Sequence, residues 1–492
     1  MQDIYSPDTV IKRDEVSRYL QEGDGFVDGA QIERDLANAK NPDPARVRDI
    51  IAKSLAIQTL APEETAALLN VADPELRREM EEAALKIKRF VYDNRIVTFA
   101  PMYVSSFCVN RCKYCGFSAD NPRQKHRCLS VEEIKAEAEA MTGREGHKRV
   151  MAVFGEHPST GAEFIAQSLD AIYSVRAKTR RGVSNVRRIN VNAAPMSIDD
   201  LKTVRAAGIG TFQVFQETYH RPTYAAMHPA GTVKGDYDWR ATCMHRAFDA
   251  GIDDVGLGVL FGLHDWRFEV MGLAAHAREL ERFRGIGPHT FSVPRLHAAS
   301  GSAISGAPNE FTDDNFAHAV TVLRLSVPYA GLIVTARESP ELRDHCVDLG
   351  ITQMDASTRI EIGGYARNQS AQELDSQQFL LGDPRSLEQL ICDLARRGII
   401  TSFCTAGYRC GRTGGCIMES LKTGREGTFC KINAVLTFRE WLDDFASPES
   451  VKICEPVIQA ELAQIKEQYP KFYTQVFDRY DRIARGERDL FF

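Results

Sequence analysis

The stretch Ile96-Val-Thr-Phe-Ala-Pro-Met-Tyr-Val104-Ser-Ser-Phe-Cys108-Val-Asn-Arg-Cys112-Lys-Tyr-Cys115 decides the fold. It opens as an apolar, β-branched run of strand length and ends in three cysteines within eight residues. Outward from it, strand and helix patterns alternate from residue 95 to about residue 398. Strands are expected at 96–104, 149–154, 188–192, 211–215, 254–261, 289–293, 332–335 and 351–354. Ser130-Val-Glu-Glu133 and Ser197-Ile-Asp-Asp200 have capping-box spacing and open two of the intervening helices. Gly208 and Gly251 follow two helix ends, where a left-handed residue is wanted. Eight strands, each with its helix, predict an α/β fold of the closed (β/α)8 TIM type. No GxGxxG follows the first strand, which argues against an open doubly wound sheet.

Flanking pieces complete the chain. Residues 1–94 read as an N-terminal helical segment, with helix-period apolar positions over 63–90. The barrel is expected over 95–398 and a mainly helical C-terminal domain over 399–492. The chain has 492 residues and a net charge of −6. Nothing in that balance points to nucleic acid or to an acidic membrane surface. No apolar run reaches the length of a membrane span, and residues 1–7 have no signal-peptide pattern, so a cytoplasmic location is expected.

Twelve cysteines are the unusual feature of the composition. Cys108, Cys112 and Cys115 lie just past the first strand, on the side of a barrel where active sites form. Three thiolates suit a cubane iron–sulfur cluster, because one of its four irons then stays open for a ligand. The competing reading is a structural zinc site in a non-catalytic barrel, which needs four closed ligands. A second group, Cys404, Cys410, Cys416 and Cys430, falls in a glycine-rich stretch. The remaining five suit small buried side chains.

The first cysteine spacing, with aromatic Tyr114 before the third cysteine, resembles the radical S-adenosylmethionine (SAM) superfamily. Gly155-Glu156 after the second strand resembles that family's motif for the methionine amino group, and Gly258-Val-Leu-Phe-Gly262 its glycine motif near the adenine. The segments 213–224, 251–262, 287–295 and 336–343 are similar to the radical SAM tyrosine lyases. Two families share that barrel: the 2-iminoacetate synthases (ThiH) and the [FeFe]-hydrogenase maturases (HydG). The extended tail, with Ser402-Phe-Cys-Thr-Ala, Gly411-Arg-Thr-Gly414 and Cys430-Lys-Ile-Asn-Ala, resembles the maturase.

The resemblance implies a [4Fe-4S] cluster, S-adenosyl-L-methionine, tyrosine as substrate, and an electron donor such as ferredoxin or flavodoxin. It implies a 5′-deoxyadenosyl radical and cleavage of the Cα–Cβ bond of tyrosine to p-cresol and dehydroglycine. In the maturase, a second auxiliary cluster then helps make CO and cyanide, with hydrogenase maturation proteins as partners. A lyase of the 2-iminoacetate synthase type, with a different downstream product, is the alternative. Arg337 sits where the family's carboxylate clamp falls, and a guanidinium fork suits a carboxylate. Glu217, Thr218, Ser292 and Arg295 are expected toward the mouth as substrate or cofactor contacts. His276 corresponds roughly to an iron-binding histidine of the maturase.

The tail departs from the maturase pattern. That pattern has a Cys-x2-Cys and a third cysteine some twenty residues on; here Gly407 stands at the middle position and cannot ligate. Cys410 is expected to replace it, with Cys416 as a possible fourth ligand, in a second cluster buried close to the barrel mouth. A closed four-thiolate cluster and a lost cluster are the other readings.

Overall fold

The computed structural model describes residues 5–21, 25–368, 372 and 374–492. Residues 1–4, part of the stretch examined for a targeting signal, lie outside them. Eight parallel strands close into a barrel: β1 (Arg95–Ser105), β2 (Arg149–Phe154), β3 (Arg188–Asn192), β4 (Phe212–Gln213), β5 (Val255–Gly258), β6 (Thr290–Ser292), β7 (Gly331–Val334) and β8 (Gln353–Asp355). Closure is the pairing of β1 with β8, Val97 opposite Gln353 through Phe99 opposite Asp355. All eleven residues of β1 are buried, as expected of a parallel strand covered on both faces.

The helix signals hold. Ser130 Oγ accepts from the Glu133 amide at 3.3 Å while the Glu133 carboxylate accepts from the Ser130 amide at 2.8 Å. Ser197 Oγ accepts from the Asp200 amide at 3.2 Å. Gly208 and Gly251 have φ of 80° and 83°. The helical run over 63–90 is in fact two helices, Pro62–Leu69 and Pro74–Tyr92. Pro74 has no N–H to continue a helix, and Asp73 caps a new one through the amides of Glu75 and Leu76.

Besides a two-stranded hairpin of Ala177–Lys178 with Val183–Ser184, one unexpected strand joins the barrel sheet. β9 (Ile400–Ser402) runs parallel to the start of β1, with Arg95 opposite Ile400 and Val97 opposite Ser402. Val97 thus pairs with β8 on one edge and β9 on the other, while Ala100–Ser105 pairs with β2. The buried helix Arg425–Asp444 packs on β9 and on helix Pro74–Tyr92, with helices Pro448–Gln468 and Pro470–Ala484 against it. A buried ion triad locks this C-terminal unit to the barrel. Glu440 accepts from Lys148 Nζ at 2.8 Å and from Arg187 Nη1 at 3.0 Å, with all three side chains at most 1% exposed.

Candidate active site

The loop after β1 carries Cys108, Cys112 and Cys115 at the C-terminal mouth of the barrel. Burial first, and the neighbouring thiols of the trio with it, push the Cys108 thiol up to about 11 and the Cys112 thiol up to about 12. Asn110 Nδ2 donates to Cys108 Sγ at 3.8 Å and Gln378 Nε2 to Cys115 Sγ at 3.5 Å. The end of β2 clasps this loop. The Gly155 amide donates to Ser105 O at 2.9 Å and the Val109 amide to Glu156 O at 2.8 Å. A Cβ on Gly155 would lie 2.2 Å from Phe107 O, so only glycine lets the loop sit there. Among the described residues, no three His, Cys, Asp or Glu side chains are drawn around one point as a single metal ion requires. Three thiols on one loop suit a cubane, which leaves one iron open, whereas a closed zinc site needs four ligands.

A cavity of about 150 Å³ opens at this mouth, lined by Tyr114, Cys115, Glu217, Ser292 and Arg337 together with Tyr103, Lys234, His297, Gln378 and Phe379. Tyr114 is held by a 2.8 Å hydrogen bond between its hydroxyl and His228 Nε2. Glu217, at φ 70°, accepts from Lys234 Nζ at 2.8 Å and Arg240 Nη2 at 3.5 Å. Burial alone would raise its pKa, but Lys234 and Arg240 outweigh it and hold the carboxyl below its ordinary range. Arg337 differs from its neighbours. Its guanidinium stacks on Phe379, 3.3 Å from the ring centroid, and no hydrogen bond or ion pair ties it among the described residues. Burial, the largest influence on it, lowers its pKa.

Other expected residues are elsewhere. Glu156 is buried beside the mouth, accepts from Asn110 Nδ2 at 2.5 Å and Tyr5 Oη at 3.5 Å, and faces an adjoining cavity with Tyr5 and Asp200. Gly258 ends β5, where a Cβ would strike the Phe215 ring at 2.6 Å and Ser292 O at 2.9 Å. Gly262 lies beyond the strand at φ 102°. The Thr218 hydroxyl donates to buried Glu269 and does not line the main cavity. Arg295 is a rim residue held by Glu338 and by Asp313 at 2.7 Å. His276 lies outside the barrel under Phe26, with Nδ1 on the Tyr219 hydroxyl at 2.8 Å and Nε2 without a partner among the described residues. It approaches neither cysteine group. Lys234, Arg240, Gln378 and Phe379 were not anticipated: Lys234 and Arg240 come from single-turn helices and Gln378 and Phe379 from a loop, all without a local sequence pattern.

The second cysteine group is at the opposite end of the barrel from the mouth, not close to it as expected. Cys404 follows β9 at φ 47°. Burial would raise its pKa, but Arg95, Arg188 and Arg149, the first residues of β1, β3 and β2, together lower it. Cys430 faces the same spot and accepts from Arg95 Nη2 at 2.7 Å. Cys410 and Cys416 are exposed, and the Cys410 thiol lies 3.7 Å from Phe492 O. The glycine-rich loop carries both outward, so two thiols converge on the floor where a cubane needs at least three.

A model of the radical SAM superfamily matches residues 102–272, and one of the biotin and thiamin synthesis associated domain matches residues 292–400. The 2-iminoacetate synthase of Salmonella typhimurium is 30% identical over 352 residues, 71% of this chain and 88% of that protein. A crystal structure of HydG, a maturase of the [FeFe]-hydrogenase, is 41% identical with a TM-score of 0.89, covering 95% of this chain and all of the other. HydG from Carboxydothermus hydrogenoformans is 32% identical with a TM-score of 0.76, over 96% and 99% of the two chains. With its thiol trio at a barrel mouth and these full-length likenesses, the chain belongs to the radical SAM superfamily, in the branch that holds 2-iminoacetate synthase and the hydrogenase maturase HydG.

Proposed function

We propose that this chain is a radical SAM carbon–carbon lyase that cleaves the Cα–Cβ bond of tyrosine to p-cresol and dehydroglycine. The observation that carries the reading is Arg337, a cavity guanidinium with no ion-pair partner among the described residues. An amino acid's carboxylate is the natural partner of such a fork. Cys108, Cys112 and Cys115 would hold a [4Fe-4S] cluster, and Tyr114, Glu156 and Gly258 would contact S-adenosyl-L-methionine. When bound, that pair supplies one-electron hydrogen abstraction, fed by a donor such as ferredoxin or flavodoxin.

The chain's own residues orient and enclose. Arg337 fixes the carboxylate end of tyrosine. Phe379 and Tyr103 offer apolar wall to its ring, and Ser292 a polar contact across the mouth. The Glu217–Lys234–Arg240 set holds a charged rim in place. The two products together contain all the atoms of tyrosine, once the abstracted hydrogen is restored as a proton and an electron.

Full-length likeness to two hydrogenase maturases supports placing this lyase in assembly of the [FeFe]-hydrogenase active site, with dehydroglycine as the source of CO and cyanide. The floor offers two converging thiols, so no step is assigned to a second cluster. Anaerobic incubation with S-adenosylmethionine, dithionite and tyrosine tests the lyase step: p-cresol is expected, and is lost on Cys108→Ala, Cys112→Ala or Cys115→Ala. Cofactor cleavage that leaves tyrosine intact would overturn it. Head-space CO and free cyanide test the downstream assignment separately.

A further inference from the structure

The loop that carries the thiol trio also carries charge of one sign. From Cys108 to Arg127 it holds five lysines and arginines against one acid, Asp120, in a chain whose net charge is −6. Arg111, Lys113, Arg123 and Lys125 are exposed. Asp120 pairs with Arg111 at 3.4 Å. Arg127 is held by Glu133 and by Ile362 O at 3.0 Å. No ion pair relieves Lys113, Arg123 or Lys125 among the described residues, although like charges gathered on one loop repel.

A second segment completes this face. Residues 375–380 run beside the thiol loop: Asp375 O accepts from the Lys125 amide at 3.0 Å, and a Cβ on Gly116 would meet Gln377 O at 2.7 Å. The exposed Asp375 carboxylate is taken up by Ser300 Oγ at 2.8 Å. The segment ends in Leu380, an apolar side chain left 42% exposed. Two residues before it, Gln378 Nε2 donates to Cys115 Sγ at 3.5 Å. Arg111 and Lys113 flank buried Cys112, with Cα atoms about 3.8 Å from its own. An apolar spot and a cationic rim therefore lie on the outside of the two loops that hold and contact the thiols.

From this geometry we infer that the outer face of the thiol loop is the docking surface for a small acidic one-electron carrier protein. The inference rests on the lyase reading, whose cofactor cleavage consumes an electron. Transient redox complexes bury little area and form by charge attraction, so a positive rim around one apolar side chain suits them. Nucleic acid fits poorly, because the chain as a whole is negative. In the docked pair the carrier is oxidised by one electron and the cluster reduced by one.

The test uses the full chain with its cluster reconstituted and flavodoxin, an acidic carrier, as probe. Calorimetry reads binding of oxidised flavodoxin. In parallel, p-cresol formation is driven by flavodoxin hydroquinone or by dithionite, a small reductant that needs no docking surface. Arg123→Glu/Lys125→Glu lies outside the cysteine trio. It should weaken flavodoxin binding roughly tenfold or more at about 50 mM salt, and the gap to wild type should shrink at about 0.5 M. Flavodoxin-driven p-cresol at subsaturating carrier should slow with it, while iron content and the dithionite-driven rate hold. Lys452→Glu/Lys471→Glu makes the same change in net charge on exposed lysines of the C-terminal helices and should bind within about twofold of wild type. Should the first double variant lose iron, Lys125→Glu is titrated in its place. Unchanged flavodoxin binding or an unslowed flavodoxin-driven rate overturns the surface. So does an equal loss in the C-terminal control, no saturable binding to wild type, or a preference for a short duplex DNA over flavodoxin. The two claims fail separately: wild type that makes no p-cresol with dithionite removes the lyase and leaves the binding comparison standing, whereas p-cresol with dithionite and unchanged flavodoxin binding removes only the docking surface.

Discussion

Replacing Arg337 by Met removes a cavity guanidinium that makes no ion pair among the described residues. Two consequences follow from its surroundings. Among the described residues no ion pair is broken, because none is made, and what is lost inside the protein is the stacking of the guanidinium on Phe379. The fold should therefore hold, with a Tm within about 2 °C of wild type. Substrate binding should not. A charge-assisted hydrogen bond to a carboxylate contributes roughly 1.5–3 kcal/mol, so losing a two-pronged contact costs about 3–5 kcal/mol. At about 1.4 kcal/mol per factor of ten, tyrosine affinity should drop roughly 10²–10³-fold. Arg337→Lys restores a point charge without the fork and should recover about a tenfold part of the loss. Titration of the reconstituted enzyme with tyrosine in the presence of S-adenosylmethionine reads the affinity, and p-cresol yield reads turnover. Cofactor binding without tyrosine should be unchanged. Tyrosine affinity within threefold of wild type in Arg337→Met, or a loss of cofactor binding instead, would refute the clamp.

Three further outcomes can be checked. Gly155→Ala should disorder the thiol loop, since its Cβ would press on Phe107 O at 2.2 Å; iron content after reconstitution should fall, and normal iron would contradict this. Glu440→Gln strips the partner of buried Lys148 and Arg187 and should destabilise the protein by about 3–5 kcal/mol; an unshifted urea midpoint would show that the triad is dispensable. Burial raises the Glu269 carboxyl to about 8, against a partial offset from Thr218 and the Tyr219 amide. Between its unfolded value near 4.3 and about 8, the unfolded chain gives up a proton that the folded chain keeps. Stability is thus fully present below that range and lost as pH rises through it. Glu269→Gln should remove about 3 kcal/mol of that loss between pH 5.5 and 8, and equal slopes in the two proteins would discount it.

The barrel was legible because parallel strands covered on both faces write continuous apolar runs. The limits expected for β2 and β3 coincide with those observed, and β1 is one residue longer at each end. β4 is reduced to Phe212–Gln213, with pairing to the continuation of β5 resuming at Gln216 and the left-handed Glu217. β9 has three residues, too few for a periodic signal. The mouth thiols and Arg337 were readable since each is fixed by a strand end a few residues away. Lys234 and Gln378 were not, because they meet the cavity only through tertiary packing, and Arg240 acts on it only through Glu217. Cys410 and Cys416 misled for the opposite reason: closeness in sequence to Cys404 suggested closeness in space, and Gly411 at φ 70° and Gly414 at φ 54° turn that loop outward.

β1 is the member shared by both ends of the molecule. Its eleven residues span roughly 36 Å at about 3.3 Å each. Cys108 follows three residues past one end and Arg95 begins the other. The strand is thus a measuring rod: the interval between the two cysteine groups is set by residue count, not by hinge or linker. It also couples their fates. A slip of β1 by one residue would turn every side chain to the opposite face, withdrawing Arg95 from the floor and the thiol loop from its seat on β2 in one movement. A two-residue insertion before Val97 would instead keep the facing, leave the mouth assembled, and displace Arg95 from β9. The rod has a tolerant end and an intolerant one, and drift in sequence can remodel the floor while the mouth chemistry stays in register.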